Sequence, residues 1–157
     1  HTQSSAASDV YKRQIYNPAT NEMFSCQKGK GVYLNGHKVN ASQKTNLLDA
    51  SITVSRSEVK RKDWEPYRND FKSINPIGSV AYKLALVSSG NYDIFTTIAP
   101  KNEWDICAGD CLVSEAGGVF KTINDKKIIY NQKKTLVTDT IIATNSVLFE
   151  GVSDLLF

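Results

Sequence analysis

The segment Asn102–Gly118, "NEWDICAGDCLVSEAGG", holds the residues of this sequence whose types and spacing best suit chemistry. Asp105 follows Trp104 directly and stands where an apolar helical pattern begins. A carboxylate at that place can cap the helix by accepting from free backbone N–H groups, and it lies at the positive end of the helix dipole. It can equally bind a hard cation such as Mg²⁺, which prefers oxygen donors. The residues alone leave both roles open, and capping alone would explain Asp105.

Small residues follow one turn later in the same predicted helix. Ala108 and Gly109 remove side-chain bulk, and glycine inside a helix costs roughly 1 kcal/mol relative to alanine. We therefore expect another part of the chain to approach the helix there. Cys107 and Cys111 share a helical face, but no third or fourth metal ligand stands at a compatible spacing, so their pattern favours core packing.

The elements that must position these residues follow an α/β pattern. From Ile15 to Asn46, alternating residues and the turn signals Gly29, Gly31 and Asn35-Gly36 predict an antiparallel hairpin region. Later strands are predicted at "ASITVSRS", "KSINPIG", "YDIFTTI", "GVFKT", "KIIY" and "TDTIIATN". Helices are predicted at "EVKRKDWEPYRNDF", "VAYKLALVSS", Asp105 to Ala116, and "SVLFEGVSDLL". We expect residues 47–157 to form an α/β domain with a mixed sheet, and residues 15–46 to belong to a second sheet.

The first fourteen residues, "HTQSSAASDVYKRQ", are polar and follow neither structural period. They resemble a translated library-adapter segment, so residues 1–14 are interpreted as a foreign leader and excluded from the fold. An ordinary disordered tail is the alternative.

Composition narrows the classes of function. The chain has 157 residues, of which 41% are hydrophobic, and this suits one ordinary globular unit. The formal charge of +3 suits an anionic ligand but lacks the concentrated basic patch of a nucleic-acid binder. No run of eighteen apolar residues and no signal pattern occurs, so we expect a cytoplasmic protein without a membrane partner. The three cysteines are interpreted as reduced core residues.

Three segments carry a family resemblance. Trp104-Asp105, Ala108-Gly109 and Glu115–Gly118 closely resemble the C-terminal signature of the inositol monophosphatase-like, Mg²⁺-dependent phosphatases. The segment "QKGKGVYLNGHKVNAS" is similar to the family's G-x-G-x-x-x-N-G hairpin, and "GSVAYKLALVSSGNYD" to its G-[ST]-x-A-x-K-L helix. The resemblance runs from about Ile15 to the end. It implies the C-terminal part of a layered αβαβα sandwich of the sugar-phosphatase type.

The resemblance also implies roles for individual residues. Asp105 would be a metal ligand near the substrate hydroxyl, with Trp104 packed against the strand end so that the aspartate is held toward the metal. Gly78 and Ser79 would line the substrate pocket at a helix start, a natural place for an anionic group. Ser79 could equally be a plain helix cap.

Two of the family's metal-binding motifs do not occur in this sequence: the acidic G-E-E element and D-P-[IL]-D-G-T. A single aspartate cannot assemble the cation site that metal-assisted phosphate hydrolysis needs. We therefore expect the parent protein to hydrolyse a small phosphomonoester with Mg²⁺, and this chain alone to be truncated and nearly inactive. The alternative is a non-catalytic α/β ligand-binding or assembly module. An exposed sheet edge would favour low stability or self-association, and the resemblance implies a homodimer for the parent.

The substrate stays open between an inositol phosphate, a 3',5'-bisphosphate nucleotide and a sugar phosphate. Thr97 stands where inositol monophosphatases have a glutamate that contacts the inositol ring, which weakens inositol as a substrate. Ser55–Glu58, "SRSE", together with "PKNEWD", is similar to 3'(2'),5'-bisphosphate nucleotidases, in which a basic pocket would accept a second phosphate. Arg56 and Lys83 are the candidate contacts, and each could instead be a surface residue.

Overall fold

A computed structural model of the chain describes residues 12–157, so most of the predicted leader, residues 1–11, lies outside the described residues. The strands are β1 Lys12–Asn17, β2 Glu22–Gln27, β3 Gly31–Leu34, β4 His37–Val39, β5 Ser51–Val54, β6 Ser73–Pro76, β7 Ile94–Thr97, β8 Lys101–Asn102, β9 Val119–Thr122, β10 Leu136–Val137 and β11 Ile141–Thr144. The α-helices are α1 Arg56–Lys60, α2 Val80–Ser88, α3 Glu103–Glu115 and α4 Ser146–Leu156. Residues 12–14 of the predicted leader lie in β1.

The central element is a five-stranded mixed sheet with the order β6-β5-β7-β11-β9. Strand β5 is parallel to both β6 and β7, whereas β11 is antiparallel to β7 and β9. The carboxyl ends of β5, β6 and β7 therefore meet at one edge of the sheet. The segments that follow these three ends, near residues 55–58, 77–79 and 98–101, are brought together there, at the edge where open α/β sheets bind ligands.

The hairpin region forms a separate four-stranded antiparallel sheet, β1-β2-β3-β4. The turn between β3 and β4 has positive φ at Asn35 (48°) and Gly36 (83°), as a two-residue type I′ hairpin requires. Asn35-Gly36 was one of the turn signals in the sequence, and the predicted antiparallel hairpin region is confirmed.

Helices α2 and α3 lie between the four-stranded antiparallel sheet and the five-stranded mixed sheet. Ala85 and Leu112 pack with Phe24 of the antiparallel sheet, while Leu84 and Ile106 pack with the opposite, mixed sheet. On the far face of the mixed sheet, α4 contributes Leu148, Phe149 and Val152 to a third apolar cluster. The predicted architecture, a mixed sheet flanked by helices plus an antiparallel hairpin region, is confirmed.

The approach predicted at Gly109 is made by Leu84 of α2. A Cβ built on Gly109 would lie 2.5 Å from the Leu84 Cβ, closer than real side chains come. Glycine therefore allows α2 and α3 to pack closely between the sheets. This close packing positions the two helix starts that carry candidate site residues.

Three predicted elements differ in the structure. The segment "KIIY" forms no strand, because the Tyr130 hydroxyl donates to Asp110 (2.7 Å) and the next two backbone N–H groups donate to Glu103. The helix predicted over residues 58–71 is only the short α1, followed by a 3₁₀ turn at Glu65–Tyr67. The positive φ of Lys62 (66°) separates the two pieces.

The start of α3 also differs. The helix begins at Glu103 with Asn102 at the N-cap, so Asp105 is the third residue of its first turn and the predicted N-cap role is wrong. The backbone N–H of Glu103 donates to Thr135 (2.9 Å), which fixes the helix start two residues earlier. Among residues 12–157, no helix is long and apolar enough to cross a membrane.

Candidate functional site

The site centres on Lys83, in the second turn of α2. Its side chain is buried, with 2% exposure, and its Nζ lies 5.3 Å from the centroid of the Phe95 ring. The charges that act on it are those of Glu58, Lys101 and Arg56. We call Arg56, Lys83 and Lys101 the basic cluster.

Burial of Lys83 lowers its pKa to about 8; Glu58 opposes this shift, and Lys101 and Arg56 add to it. The side chain therefore carries a positive charge at neutral pH and loses it just above. The Lys83 side chain makes no hydrogen bond or ion pair with any of residues 12–157, although its backbone N–H donates to the Ser79 carbonyl group (3.2 Å). A buried cation with no anionic ion-pair partner is costly unless an anion binds to it.

Arg56 is exposed and its guanidinium lies directly over Gly78. A Cβ on Gly78 would come within 2.9 Å of the Arg56 Cζ and closer still to one of its nitrogens. Glycine at this position therefore leaves the space that the guanidinium occupies. Gly78, Arg56 and Lys83, all predicted as substrate-binding residues, are brought together at the sheet edge.

Ser79 follows as the N-cap of α2. Its Oγ accepts from the Tyr82 backbone N–H (3.2 Å), so the capping role is present. Its φ of 61° lies in the left-handed region, which is strained for a residue other than glycine. Strained backbone of this kind clusters at ligand sites, and here it adjoins the basic cluster.

Lys101 was not predicted from the sequence. It lies half-buried in β8, and its Nζ donates to the carbonyl groups of Ala99 (2.9 Å) and Pro100 (3.3 Å). Burial lowers its pKa, while Glu58 and Asp105 raise it. Lys101 is thus the member of the basic cluster on which the charge of Asp105, in the first turn of α3, acts.

Asp105 is exposed on that first turn, and its negative charge acts on Lys101 and raises the pKa of that side chain. The prediction that Trp104 packs to hold it is wrong, because the indole is 65% exposed. The buried face of α3 is formed by Glu103, Ile106, Gly109, Leu112 and Val113. Trp104 instead lines a cleft of about 1200 Å³ on another side of α3, which Asp105 does not line.

Glu58 is the second residue that was missed. It is fully buried, and its two oxygens accept from Ser55, Trp64, Thr97 and Ala99. Its sequence signal was the capping box, a serine followed three residues later by a glutamate, which the structure contains at the start of α1. Thr97, the position aligned with an inositol-contacting glutamate, donates its hydroxyl to Glu58 (2.8 Å).

The implied Mg²⁺ site does not fit the residues present. Within residues 12–157, no three side chains of His, Cys, Asp or Glu are grouped so as to hold a metal ion. Asp105 is a lone carboxylate there, and the oxygens of Glu58 are occupied by protein donors. These residues can bind and neutralise an anion, but by themselves they do not build a divalent-cation site.

Comparisons with known proteins agree with this architecture. The chain is 30% identical over 129 residues to the fructose-1,6-bisphosphatase/inositol-1-monophosphatase of Thermotoga maritima, covering 82% of this chain and 50% of that protein. It is 33% identical over 113 residues to the Nus factor SuhB of Escherichia coli, covering 67% of this chain and 42% of that protein. The solved Thermotoga maritima IMPase superposes with a TM-score of 0.80 at 26% identity, covering 93% of this chain and 55% of that one. The chain thus spans about half the length of these relatives.

The model of the inositol monophosphatase family matches residues 14–154, which is nearly the whole described chain. The match includes both sheets, the glycine-serine start of α2 and the tryptophan-aspartate pair of α3. The resemblance read from the motifs is therefore confirmed, and the chain belongs to the inositol monophosphatase family.

Proposed function

We propose that the intact protein hydrolyses a phosphomonoester of a small phosphorylated substrate, and that the basic cluster binds an anionic group of that substrate. Membership of the family supports phosphomonoester hydrolysis as the reaction class. The observation that carries the binding role is Lys83, a buried cation beside two further cations at the ligand edge of the sheet. Gly78 supports it by leaving room for Arg56.

A substrate with two phosphate groups suits this arrangement best. Three cations face a single buried carboxylate, so the site keeps an excess of positive charge. Thr97 has no carboxylate to accept from a ring hydroxyl, and its own hydroxyl is fully buried and donates to Glu58. We therefore place a 3',5'-bisphosphate nucleotide ahead of an inositol phosphate or a sugar phosphate, with the second phosphate on Arg56 and Lys83.

Asp105 is the proposed metal ligand of this chain, with Mg²⁺ as the proposed ion. Because residues 12–157 do not complete such a site, we assign no reaction step to the metal. For the same reason we propose that the 157 residues alone are nearly inactive. A non-catalytic binding module remains the alternative, and the experiment below separates the two.

The proposal includes a cytoplasmic location and a homodimeric parent. The absence of a nucleic-acid partner stays a prediction, since one relative is named a Nus factor. The absence of a membrane partner likewise stays a prediction.

A chimera tests the proposed function. The first half of the Thermotoga maritima enzyme, joined to residues 15–157, should release phosphate from a 3',5'-bisphosphate nucleotide only with Mg²⁺, whereas the chain alone should release almost none. Asp105→Asn should reduce the chimera's turnover by about 100-fold or more, because a charged metal ligand is lost. Asp154→Asn, an exposed aspartate on α4, is the matched control and should change nothing. A folded chimera without activity would favour the non-catalytic module, and full activity of the chain alone would contradict the fragment proposal.

A further inference from the structure

Glu58 is buried with all of its hydrogen-bonding capacity directed into the protein. Its Oε1 accepts from the Thr97 hydroxyl (2.8 Å) and the Ala99 backbone N–H (3.3 Å). Its Oε2 accepts from the Trp64 indole N–H (3.1 Å) and the Ser55 backbone N–H (3.3 Å). Burial raises the pKa of Glu58, but these donors outweigh it and hold the pKa below its ordinary value. The side chain is therefore an anion at neutral pH.

The donors belong to the segments that carry two of the three cations. Ser55 directly precedes Arg56 at the start of α1, so the Ser55 contact fixes the backbone next to that guanidinium. Thr97 is the last residue of β7, and Ala99 lies in the segment that leads from it to Lys101, the first residue of β8. Trp64, 3% exposed, ties the carboxylate to the apolar cluster that contains β5. One side chain thus joins the two segments to the core.

The negative charge of Glu58 also faces Lys83 and Lys101. Within residues 12–157 it is the only carboxylate among the groups that act on Lys83, since Lys101 and Arg56 are both positive. Without it, burial and two like charges would both favour the neutral amine. Such an amine would attract a phosphate far less strongly near pH 8.

We propose that Glu58 is a positioning residue of the anion site, which orients the segments carrying Arg56 and Lys101 and keeps Lys83 cationic so that it can bind phosphate. Glu58 itself does not touch the ligand, because its oxygens are occupied. The inference rests on the proposed function only in taking the anion to be a phosphate of the substrate.

The first experiment measures Lys83 without any ligand. In the full chain with ¹³C-labelled lysines, the Lys83 signal should titrate near pH 8 in the wild type. Glu58→Gln keeps the side-chain shape and removes the charge, so the midpoint should fall by about one pH unit or more. Asp93→Asn is the matched control: Asp93 is also buried, but it binds Ser51 N (2.6 Å) and Lys44 Nζ (3.0 Å) at the other end of the same strands. This variant should leave the Lys83 midpoint unchanged.

The second experiment measures binding of adenosine 3',5'-bisphosphate by calorimetry between pH 6 and 9. In Glu58→Gln, affinity should fall by about 10-fold at pH 8 and recover largely at pH 6, where Lys83 regains its proton. A merely structural defect would lower affinity equally at both pH values. Thr97→Val removes one donor and keeps the Glu58 charge, so amide exchange of Ile98, Ala99 and Lys101 should accelerate while the Lys83 midpoint stays in place.

The outcomes separate the two proposals. A shifted Lys83 midpoint with no bisphosphate binding supports Glu58 as described and contradicts the proposed substrate. An unchanged midpoint in folded Glu58→Gln overturns the inference. If that variant does not fold, Thr97→Val decides: unchanged amide exchange at Ile98, Ala99 and Lys101 together with unchanged affinity overturns the inference, and faster exchange with weaker binding supports it.

Discussion

Lys83 is a buried cation whose cost in stability would be explained by the proposed binding of phosphate. Its side chain is buried against the Phe95 ring, two other cations act on it, and Glu58 is the one carboxylate of the described residues that compensates their charge. Protein interiors accept such a group mainly where a ligand completes the charge balance. The residue thus links the packing of α2 to the proposed binding of phosphate.

The fold should become more stable when this charge is removed. The folded pKa of Lys83 is about 8 and the ordinary value is 10.5, so between these values the unfolded chain holds more protons. Its contribution to stability therefore rises with pH through this window and is least favourable below pH 8. We expect Lys83→Met to raise the free energy of unfolding at pH 7 by about 1–3 kcal/mol in urea titrations, and to weaken bisphosphate binding by about 10-fold or more.

Lys121→Met is the control for this substitution. Lys121 also lies over an aromatic ring, Phe149, but it is partly exposed and paired with Asp125 (2.6 Å). Its replacement should bring no gain in stability. A destabilised Lys83→Met with intact binding would contradict the role given to Lys83.

At the residue scale, family motifs predicted more of the candidate site residues than residue types and spacing alone did. Gly78, Ser79, Arg56 and Lys83 were named from the family resemblance, and the structure groups these four. Asp105 was named first from its residue type and position, and the resemblance then implied its role as a metal ligand. Glu58 had a local signal, the capping box with Ser55, but its contacts with Thr97 and Ala99 depend on which strands are parallel neighbours. The position of Lys101 depends on the same strand order, and no local signal carries that information. Trp104 was misplaced because a tryptophan is usually buried, whereas the buried face of α3 starts at Glu103.

Among the elements, the pair α2 and α3 determines the geometry of the site. The two helices start at the ligand edge of the sheet and cross where Gly109 meets Leu84. Any change in their separation would move Ser79 relative to Asp105. The helix contact is therefore the place where packing is coupled to the site.

Gly109→Ala should test this contact. The added methyl group would overlap Leu84, so we expect a loss of about 1–3 kcal/mol in the free energy of unfolding. Ser114→Ala, on the exposed side of the same helix, should change it by less than about 0.5 kcal/mol. Equal stabilities of the two variants would show that the helices do not approach as closely as described.

The elements themselves were largely predictable, because apolar periodicity and glycine turns are local features. Helices α2 and α4 and the hairpin at Asn35-Gly36 follow such signals. The failures have tertiary causes: "KIIY" has a strand-like composition, yet Tyr130 and its neighbours bond to side chains of α3. The start of α3 was shifted for a related reason, since the Glu103 N–H bonds to Thr135.

At the scale of the whole molecule, the described chain is a stack of antiparallel sheet, helix pair, mixed sheet and outer helix. This order follows from amphipathic helices that must each cover a sheet face, so the fold class was accessible from the sequence. The arrangement of the candidate site was not, because the grouping of Arg56, Lys83 and Lys101 depends on which strand ends meet at the edge of the sheet.

The edge of the antiparallel sheet should govern solution behaviour. Strand β1 pairs only with β2 among the described residues, and Tyr16 on it is 50% exposed. Unpaired edges of this kind promote association. We expect the molar mass from light scattering to rise with concentration, and Tyr16→Lys to suppress the rise.

Leu48→Lys is the matched control, since Leu48 is 61% exposed but lies away from any strand edge. It should associate like the wild type. A strictly monomeric wild type would contradict the edge argument.

The central claim is that the basic cluster holds a phosphate of the substrate, and calorimetry of two ligands tests it most directly. Adenosine 3',5'-bisphosphate and adenosine 5'-monophosphate should be titrated at pH 7 into the wild-type chain and into Lys83→Met. A hydrogen bond to a charged group contributes about 1.5–3 kcal/mol, so the bisphosphate should bind the wild type at least about 10-fold more tightly. That preference should vanish in the variant. Equal affinities of the wild type for both ligands, or a preference that survives Lys83→Met, would contradict the account.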